Sequence, residues 1–242
     1  MPDHARPGML RAVETLLLAT RNRHKVGEIR GILGETIRYR VLTDWPDAPH
    51  LSETGRTFAE NARQKVIQVL HWLDTKAAGV ARAELPEGLW VLADDSGLEV
   101  DALGGAPGVE SARFAALDTG APGNSSDSEN NAKLLRLMAG VPEGQRGARF
   151  RCVLALGRWP RQSEAEPLHC FEGVCEGRIG WQPRGSGGFG YDPLFYPEGF
   201  DRTFAELGEE VKNRISHRAR ALAALAEWWR STHGAGEAGV RS

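Results

Sequence analysis

The sequence contains few cysteines, and this shortage narrows the class of protein. Its 242 residues include three cysteines, Cys152, Cys170 and Cys175. Three thiols are too few for the disulfide framework of a small secreted domain, and their spacing does not match the Cys-x-x-Cys pattern of zinc or redox sites. We therefore expect reduced cysteines in a cytoplasmic protein.

The sequence also lacks long hydrophobic runs and an excess of either charge. Near the N-terminus only the short run Leu16–Ala19 is apolar, whereas a membrane helix needs about 20 such residues. We expect no membrane partner. The 30 basic and 32 acidic residues give a formal net charge of -2, so no broad basic surface for nucleic acid is indicated. We expect no nucleic-acid partner, and any phosphate binding must be local.

The remaining composition is that of an ordinary globular protein. Hydrophobic residues make up 41% and charged residues 26% of the chain, and its length suits one large domain. The two ends are small, polar and without pattern. We expect flexible segments at residues 1–12 and 231–242 around a single domain at residues 13–230.

Alternating strand and helix patterns indicate an α/β fold. Strands are predicted at "TLLLAT", "IRYRVLTDW" and "LWVLA", and an antiparallel pair at "ARFRCVLALGRW" and "LHCFEGVCEGRIGW". Helices are predicted at "RNRHKVGEIRGIL", "TFAENARQKVIQVLHWLDTKAA", "NAKLLRLMAG" and "SHRARALAALAEWWR". The pairs Thr57/Glu60 and Thr203/Glu206 have the spacing of helix capping boxes.

Two adjacent acids, Asp94 and Asp95, follow the third predicted strand and precede the turn-prone pair Ser96-Gly97. The pattern predicts that the strand ends there. Adjacent carboxylates repel each other unless a cation lies between them, and ligands bind at strand ends in open α/β sheets. Acids after a strand also commonly do no more than hydrogen-bond their own turn. Other parts of the chain must therefore decide between a ligand site and a simple turn.

Phosphate and metal chemistry is indicated at two further positions. The segment "ATRNRHK" joins a strand to a helix, where free backbone N–H groups attract anions, and Thr20, Asn22 and Lys25 could hold phosphate oxygens. It is not the G-x-x-x-x-G-K-[ST] loop, and basic residues at a helix start are often only solvated. Glu53, with Asp94 and Asp95, supplies the oxygen ligands that Mg²⁺ prefers, whereas no His pair or Cys cluster favours zinc.

Base recognition is indicated near the C-terminus. Phe189 and Tyr191, in the glycine-rich "GGFGYDP", could stack on a base, and Asp192 could pair with its polar edge; a packed turn explains the same loop. In "KNRISHR", Ser216 is a candidate helix N-cap. His217 and Arg218 place donors beside it, with Lys212 just upstream.

Five motifs in order make the chain similar to the inosine triphosphate pyrophosphatase family, which hydrolyses non-standard purine nucleoside triphosphates. They are "LLLATRNRHKVGEI", "ETGRTFAENA", "LADDSGLEVDALGGAPGVESARF", "GGFGYDPLF" and "KNRISHRARAL", within Leu16 to about Trp229. The resemblance implies a mixed central sheet flanked by helices, two lobes with an active-site cleft between them, and a homodimer.

The resemblance also implies roles for individual residues. Glu53 and Asp95 match magnesium ligands, Asp95 also matches the proposed general base, and Ser96 matches a phosphate contact. The triphosphate loop would be lined by Thr20, Arg21 through its backbone, Asn22 and Lys25. The nucleotide and its base would be enclosed by Phe189, Gly190, Tyr191, Asp192, Lys212, His217 and Arg218.

The implied reaction is attack of water on the α-phosphorus of inosine, deoxyinosine or xanthosine triphosphate (ITP, dITP or XTP), giving the monophosphate and pyrophosphate. Lys25 and Arg218 would stabilise developing negative charge. Two alternatives stay open: a related pyrophosphatase for modified pyrimidines, and a nucleotide sensor without catalysis. The intact Glu53 and Asp95 argue against the sensor. Two departures from the family pattern are Val211 in "EVK" and a longer 71–90 segment.

Overall fold

The computed structural model describes residues 15–79, 85–86, 88–163 and 166–233. The predicted flexible segment 1–12 lies outside these ranges, as does 231–242 beyond residue 233. Part of the long 71–90 segment also lies outside them. Among the described residues, none of the helices has both the length and the apolar character needed to cross a membrane.

The core of the fold is a six-stranded mixed sheet. β1 pairs in parallel with β2 and β3, and the pairs β3–β4, β4–β5 and β5–β6 are antiparallel. The spatial order is β2-β1-β3-β4-β5-β6. The strands are β1 (Thr15–Leu18), β2 (Arg38–Val41), β3 (Leu89–Val100), β4 (Gly147–Trp159), β5 (His169–Ile179) and β6 (Phe195–Pro197). The mixed α/β fold is thus confirmed.

Polar caps define where the helices begin. The helices are α1 (Arg23–Leu33), α2 (Phe58–Ala77), α3 (Asp127–Leu137), α4 (Phe204–Ile215) and α5 (His217–His233). Both predicted capping boxes are confirmed, at α2 and α4. A further box joins Ser126 and Glu129, so α3 begins at Asp127 and not at Asn131 as predicted.

The core consists of three apolar clusters, two on opposite faces of the sheet in one lobe and the third in the other lobe. Because successive strand residues point to opposite faces, Leu17 packs in the cluster under α2 while Leu18 packs in the cluster under α1 and α5. The third cluster surrounds Phe150 and Phe195 in the other lobe, where α3 and α4 contribute Leu134 and other side chains.

The predicted end of the third strand is wrong. β3 continues through the two acids and Ser96-Gly97 because β4 pairs with it from Leu89, opposite Trp159, to Val100, opposite Ala148. Gly97 serves close packing here and not a turn, since a Cβ at this position would lie 2.4 Å from the Ser111 hydroxyl oxygen. The second strand, by contrast, was predicted too long, because "LTD" forms a 3-10 turn at Leu42–Asp44.

Candidate active site

A cavity of about 520 Å³ lies in the cleft between the lobes. Loops, the middle of β3 and residues of α1, α4 and α5 bring all the predicted site residues to its wall. These are Thr20, Arg21, Asn22, Lys25, Glu53, Asp95, Ser96, Phe189, Gly190, Tyr191, Asp192, Lys212, His217 and Arg218. Residues that are far apart in sequence therefore share one site, although their individual roles stay predictions.

The loop after β1 shapes one end of the cavity. The Asn22 carboxamide oxygen accepts from the N–H groups of His24 and Lys25 at 2.9 and 3.2 Å, and so caps α1. The Thr20 hydroxyl accepts from the N–H of Asn22 at 3.1 Å. The Arg21 guanidinium donates to the Ala48 carbonyl at 2.8 Å. The start of a helix is a favourable place for an anion.

Asp95 faces α2 in a cluster of polar groups. Its carboxylate accepts from the Lys65 ammonium at 2.9 Å and from the Asn61 amide at 3.1 Å. The same ammonium lies 2.7 Å from Glu53. Burial raises the pKa of Asp95; Lys65 and Lys25 oppose this only in part, and the charge of Glu53 raises it further. A raised carboxylate pKa is suited to accepting a proton.

Asp94 points to the opposite face of β3, since consecutive strand residues alternate. Its carboxylate lies 2.5 Å from the Lys25 ammonium and 2.8 Å from Nε of Arg218, and the Ser96 hydroxyl donates to it at 3.0 Å. Burial alone would raise the pKa of Asp94, but the charges of Arg218 and Lys25 outweigh it and hold this pKa well below its usual range. Asp94 is therefore the ionised partner that places both cations.

The other end of the cavity is built around Lys212. Its ammonium lies 2.5 Å from the Asp192 carboxylate and 2.7 Å from Glu28. Asp192 also accepts from the N–H of Phe189 at 2.9 Å, and Glu28 pairs with Arg218. The buried cations of this end are thus fixed by buried carboxylates.

Two rings stack near the same end. His217 is buried and stacks on Phe150 with a centroid distance of 4.8 Å. Burial, together with the charges of Arg218 and Lys212, holds the pKa of His217 well below its usual value, so the imidazole is neutral. The Ser216 hydroxyl accepts from the N–H of Ala219 at 3.1 Å, which confirms Ser216 as the cap of α5.

Sequence reasoning missed three residues of this network: Asn61, Lys65 and Glu28. Asn61 and Lys65 are four residues apart on α2, and Glu28 follows Lys25 by three residues on α1, so each pair shares a helix face. The available signal was on α1, where Glu28 shares a face with the predicted ligand Lys25; α2 carries no predicted ligand, so its sequence offered no comparable signal.

The donor set fits a magnesium ion shared with phosphate. Glu53 and Asp95 both line the cavity and converge on one cationic position, held here by the Lys65 ammonium. Among the described residues no group of three or more His, Cys, Asp or Glu side chains could hold a metal ion alone. Mg²⁺ is commonly held by one or two carboxylates, with waters and substrate phosphates completing its shell.

The fold and the site define a class of protein: a mixed α/β fold whose cavity is lined by a helix start, buried carboxylates and buried cations. The model of the Ham1 family matches residues 16–228, and the chain belongs to this family.

Similar proteins agree with this assignment. The chain is 46% identical over 225 residues to the dITP/XTP pyrophosphatase of Opitutus terrae, covering 89% of this chain and 98% of that protein. It is 45% identical over 218 residues to the dITP/XTP pyrophosphatase of Geobacillus kaustophilus, covering 90% and 95%. The structure of the Staphylococcus aureus Ham1 protein matches with a TM-score of 0.69 and 32% identity, covering 90% and 99%. The resemblance stated from the motifs is confirmed.

Proposed function

We propose that the protein hydrolyses the non-standard purine nucleoside triphosphates ITP, dITP and XTP to the monophosphate and pyrophosphate, and so cleanses the nucleotide pool. The names of the relatives support this substrate class. The observation that carries the proposal is the position of Asp95, a buried acid that shares one cavity with Glu53, the start of α1 and an aromatic loop.

Glu53 and Asp95 would hold Mg²⁺. When bound, the ion would neutralise phosphate charge and activate water. Asp95 would take the proton of the attacking water, and Asn61 would orient its carboxylate through the hydrogen bond described above. The helix start after β1, with Thr20, Asn22, Lys25 and Ser96, would bind the triphosphate.

Base selection would take place at Lys212 and His217. The Lys212 ammonium has three donors, and Asp192 and Glu28 are its two close carboxylate partners, so one donor remains for the 6-keto oxygen of hypoxanthine or xanthine. Adenine presents an amino donor there and would leave the buried donor unpaired, which disfavours binding. Arg218 is occupied by Asp94 and Glu28, so we assign it to positioning rather than to direct contact with the base.

The working form would be a homodimer, as the family resemblance implies, in the cytoplasm and without a nucleic-acid partner, as the short apolar run and the balanced charge indicate. Nothing in the proposed chemistry requires residues of a second subunit. The cavity wall of one chain already supplies every predicted site residue.

The reaction is tested by hydrolysing ITP in water enriched in ¹⁸O with Mg²⁺ present. Attack at the α-phosphorus places the label in inosine monophosphate and releases unlabelled pyrophosphate in the same step. Label in pyrophosphate would show that water attacks the β-phosphorus instead, and inosine diphosphate as the first product would show that the β,γ-anhydride is cleaved.

The variants Asp95→Asn and Glu53→Gln test the assignments of the metal ligands and of the general base. We expect Asp95→Asn to lower kcat by about 10²- to 10⁴-fold because it removes the proton acceptor, and both variants to bind Mn²⁺ more weakly in a paramagnetic resonance titration. The control is Glu209→Gln, which neutralises an exposed acid on α4. A variant with wild-type kcat and Mn²⁺ affinity would remove that residue from the site.

A further inference from the structure

Helix α3 holds the loop Phe189–Asp192 through one residue, Gly190. The Asp127 carboxylate accepts from the N–H of Gly190 at 2.6 Å. The Asn131 amide donates to the carbonyl of the same glycine at 2.9 Å. Both main-chain groups of Gly190 are therefore bound by side chains of α3.

This arrangement fixes the main chain next to an aromatic ring, that of Phe189, which itself stacks on His24 with a centroid distance of 5.1 Å. Asp127 and Asn131 are four residues apart on α3 and so share a face of the helix. Because each peptide group is planar, fixing the N–H of Gly190 also fixes the carbonyl of Phe189. Gly190 has φ +62°, a conformation that glycine adopts freely but does not impose, so the contacts to α3 restrain it, together with the bond from the N–H of Phe189 to Asp192.

Stability alone does not explain an asparagine at position 131. It is 8% exposed, and its carboxamide oxygen is buried without a hydrogen-bond partner among the described residues. An unpaired buried acceptor is unfavourable, and a leucine of similar size would avoid it. The amide group is thus retained for the bond that it donates to Gly190.

We propose that Asp127 and Asn131 are positioning residues that act as a clamp on Gly190 and hold the Phe189 ring ready for the base. This inference rests on the proposed function, because it takes the loop to be the base-binding end of the cavity. The clamp contributes to the affinity for the base and not to the chemistry at the phosphate.

The test separates binding of the base from binding of phosphate. Inosine monophosphate is titrated calorimetrically into the wild type, Asp127→Ala, Asp127→Asn and Asn131→Leu, and inorganic triphosphate is measured as a competitive inhibitor of ITP hydrolysis. The control is Glu129→Gln, which changes an acid in the same helical turn whose carboxylate binds Ser126 and not the loop.

We expect Asp127→Ala and Asn131→Leu to weaken inosine monophosphate about fivefold to tenfold, to raise KM for ITP similarly, and to leave kcat within about twofold. Asp127→Asn retains an acceptor and should recover part of the affinity. Inhibition by inorganic triphosphate should be unchanged in the Asn131→Leu and Asp127→Asn variants. Asn131→Leu should unfold at the same or a higher temperature than the wild type while binding the base more weakly.

The clamp is refuted if inosine monophosphate binds both Asp127→Ala and Asn131→Leu as tightly as it binds the wild type. Equal weakening of inosine monophosphate and inorganic triphosphate would also refute it, because that pattern indicates a general disturbance of the site. If the wild type binds inosine monophosphate but releases no pyrophosphate from ITP, the proposed reaction fails, and the monophosphate affinities still decide the clamp.

Discussion

Asp94 and Asp95 show how one strand gives two neighbouring acids opposite properties. The pKa of Asp94 is held well below its usual range, because the charges of Arg218 and Lys25 outweigh burial. The pKa of Asp95 is raised, because burial outweighs Lys65 and Lys25. Alternation along β3 separates their partners, so one acid fixes cations while the other faces the cavity as a candidate base.

His217 predicts a measurable effect of pH on stability. Its folded pKa lies well below its usual value, first because of burial and then because of Arg218 and Lys212. Below the unfolded pKa of about 6.5, the unfolded chain therefore binds a proton that the folded chain does not. The free energy of unfolding therefore decreases as the pH is lowered. The slope from this one residue is at most about 1.4 kcal/mol per pH unit, measured by urea unfolding between pH 7.5 and 5.5.

The variant His217→Gln should lose this part of the slope. His71→Gln, which changes an exposed histidine on α2, should retain it. Identical slopes for His217→Gln and the wild type would mean that His217 becomes protonated in the folded protein.

At the scale of elements, local signals predicted helices better than strand ends. Capping boxes such as Thr57/Glu60 are complete within four residues, so sequence alone can reveal them, although the box of Ser126 and Glu129 was missed. The continuation of β3 past Ala93 depends on pairing with β4, which lies far along the chain. Ser96-Gly97 has the composition of a turn, but tertiary pairing overrides that preference.

Packing at Gly97 gives a prediction for β3. A Cβ at Gly97 would lie 2.4 Å from the Ser111 hydroxyl oxygen and 2.5 Å from the Gly108 carbonyl oxygen. Gly97→Ala should therefore reduce the free energy of unfolding by about 1–3 kcal/mol, seen as a lower urea midpoint.

Gly27→Ala is the matched control, because no atom lies within 4 Å of a Cβ at this position in α1. It should raise stability by about 0.5–1 kcal/mol, since glycine is unfavourable inside a helix. A Gly97→Ala variant as stable as the wild type would show that the segment at Gly108–Arg113 is not packed against β3 as described.

At the scale of the whole molecule, the sequence motifs identified the residues of the cavity but not the network that holds them. The predicted residues follow recognisable motifs, and the fold brings them to one cleft. Lys65 and Glu28 lie inside helices. Their role as ion-pair partners is visible only in the tertiary structure, which places Asp95 beside Lys65 and Lys212 beside Glu28. Which carboxylate meets which cation is a property of the tertiary structure.

The central claim is selective hydrolysis of 6-keto purine triphosphates, and the most direct measurement is kcat/KM for ITP and for ATP under identical conditions with Mg²⁺, scored as pyrophosphate release. In this proposal the buried Lys212 donor would reject the 6-amino group of adenine, and such hydrogen-bonding sites discriminate by about 10⁴-fold. We predict a preference for ITP that approaches this ratio. Comparable kcat/KM values for ITP and ATP would contradict the account.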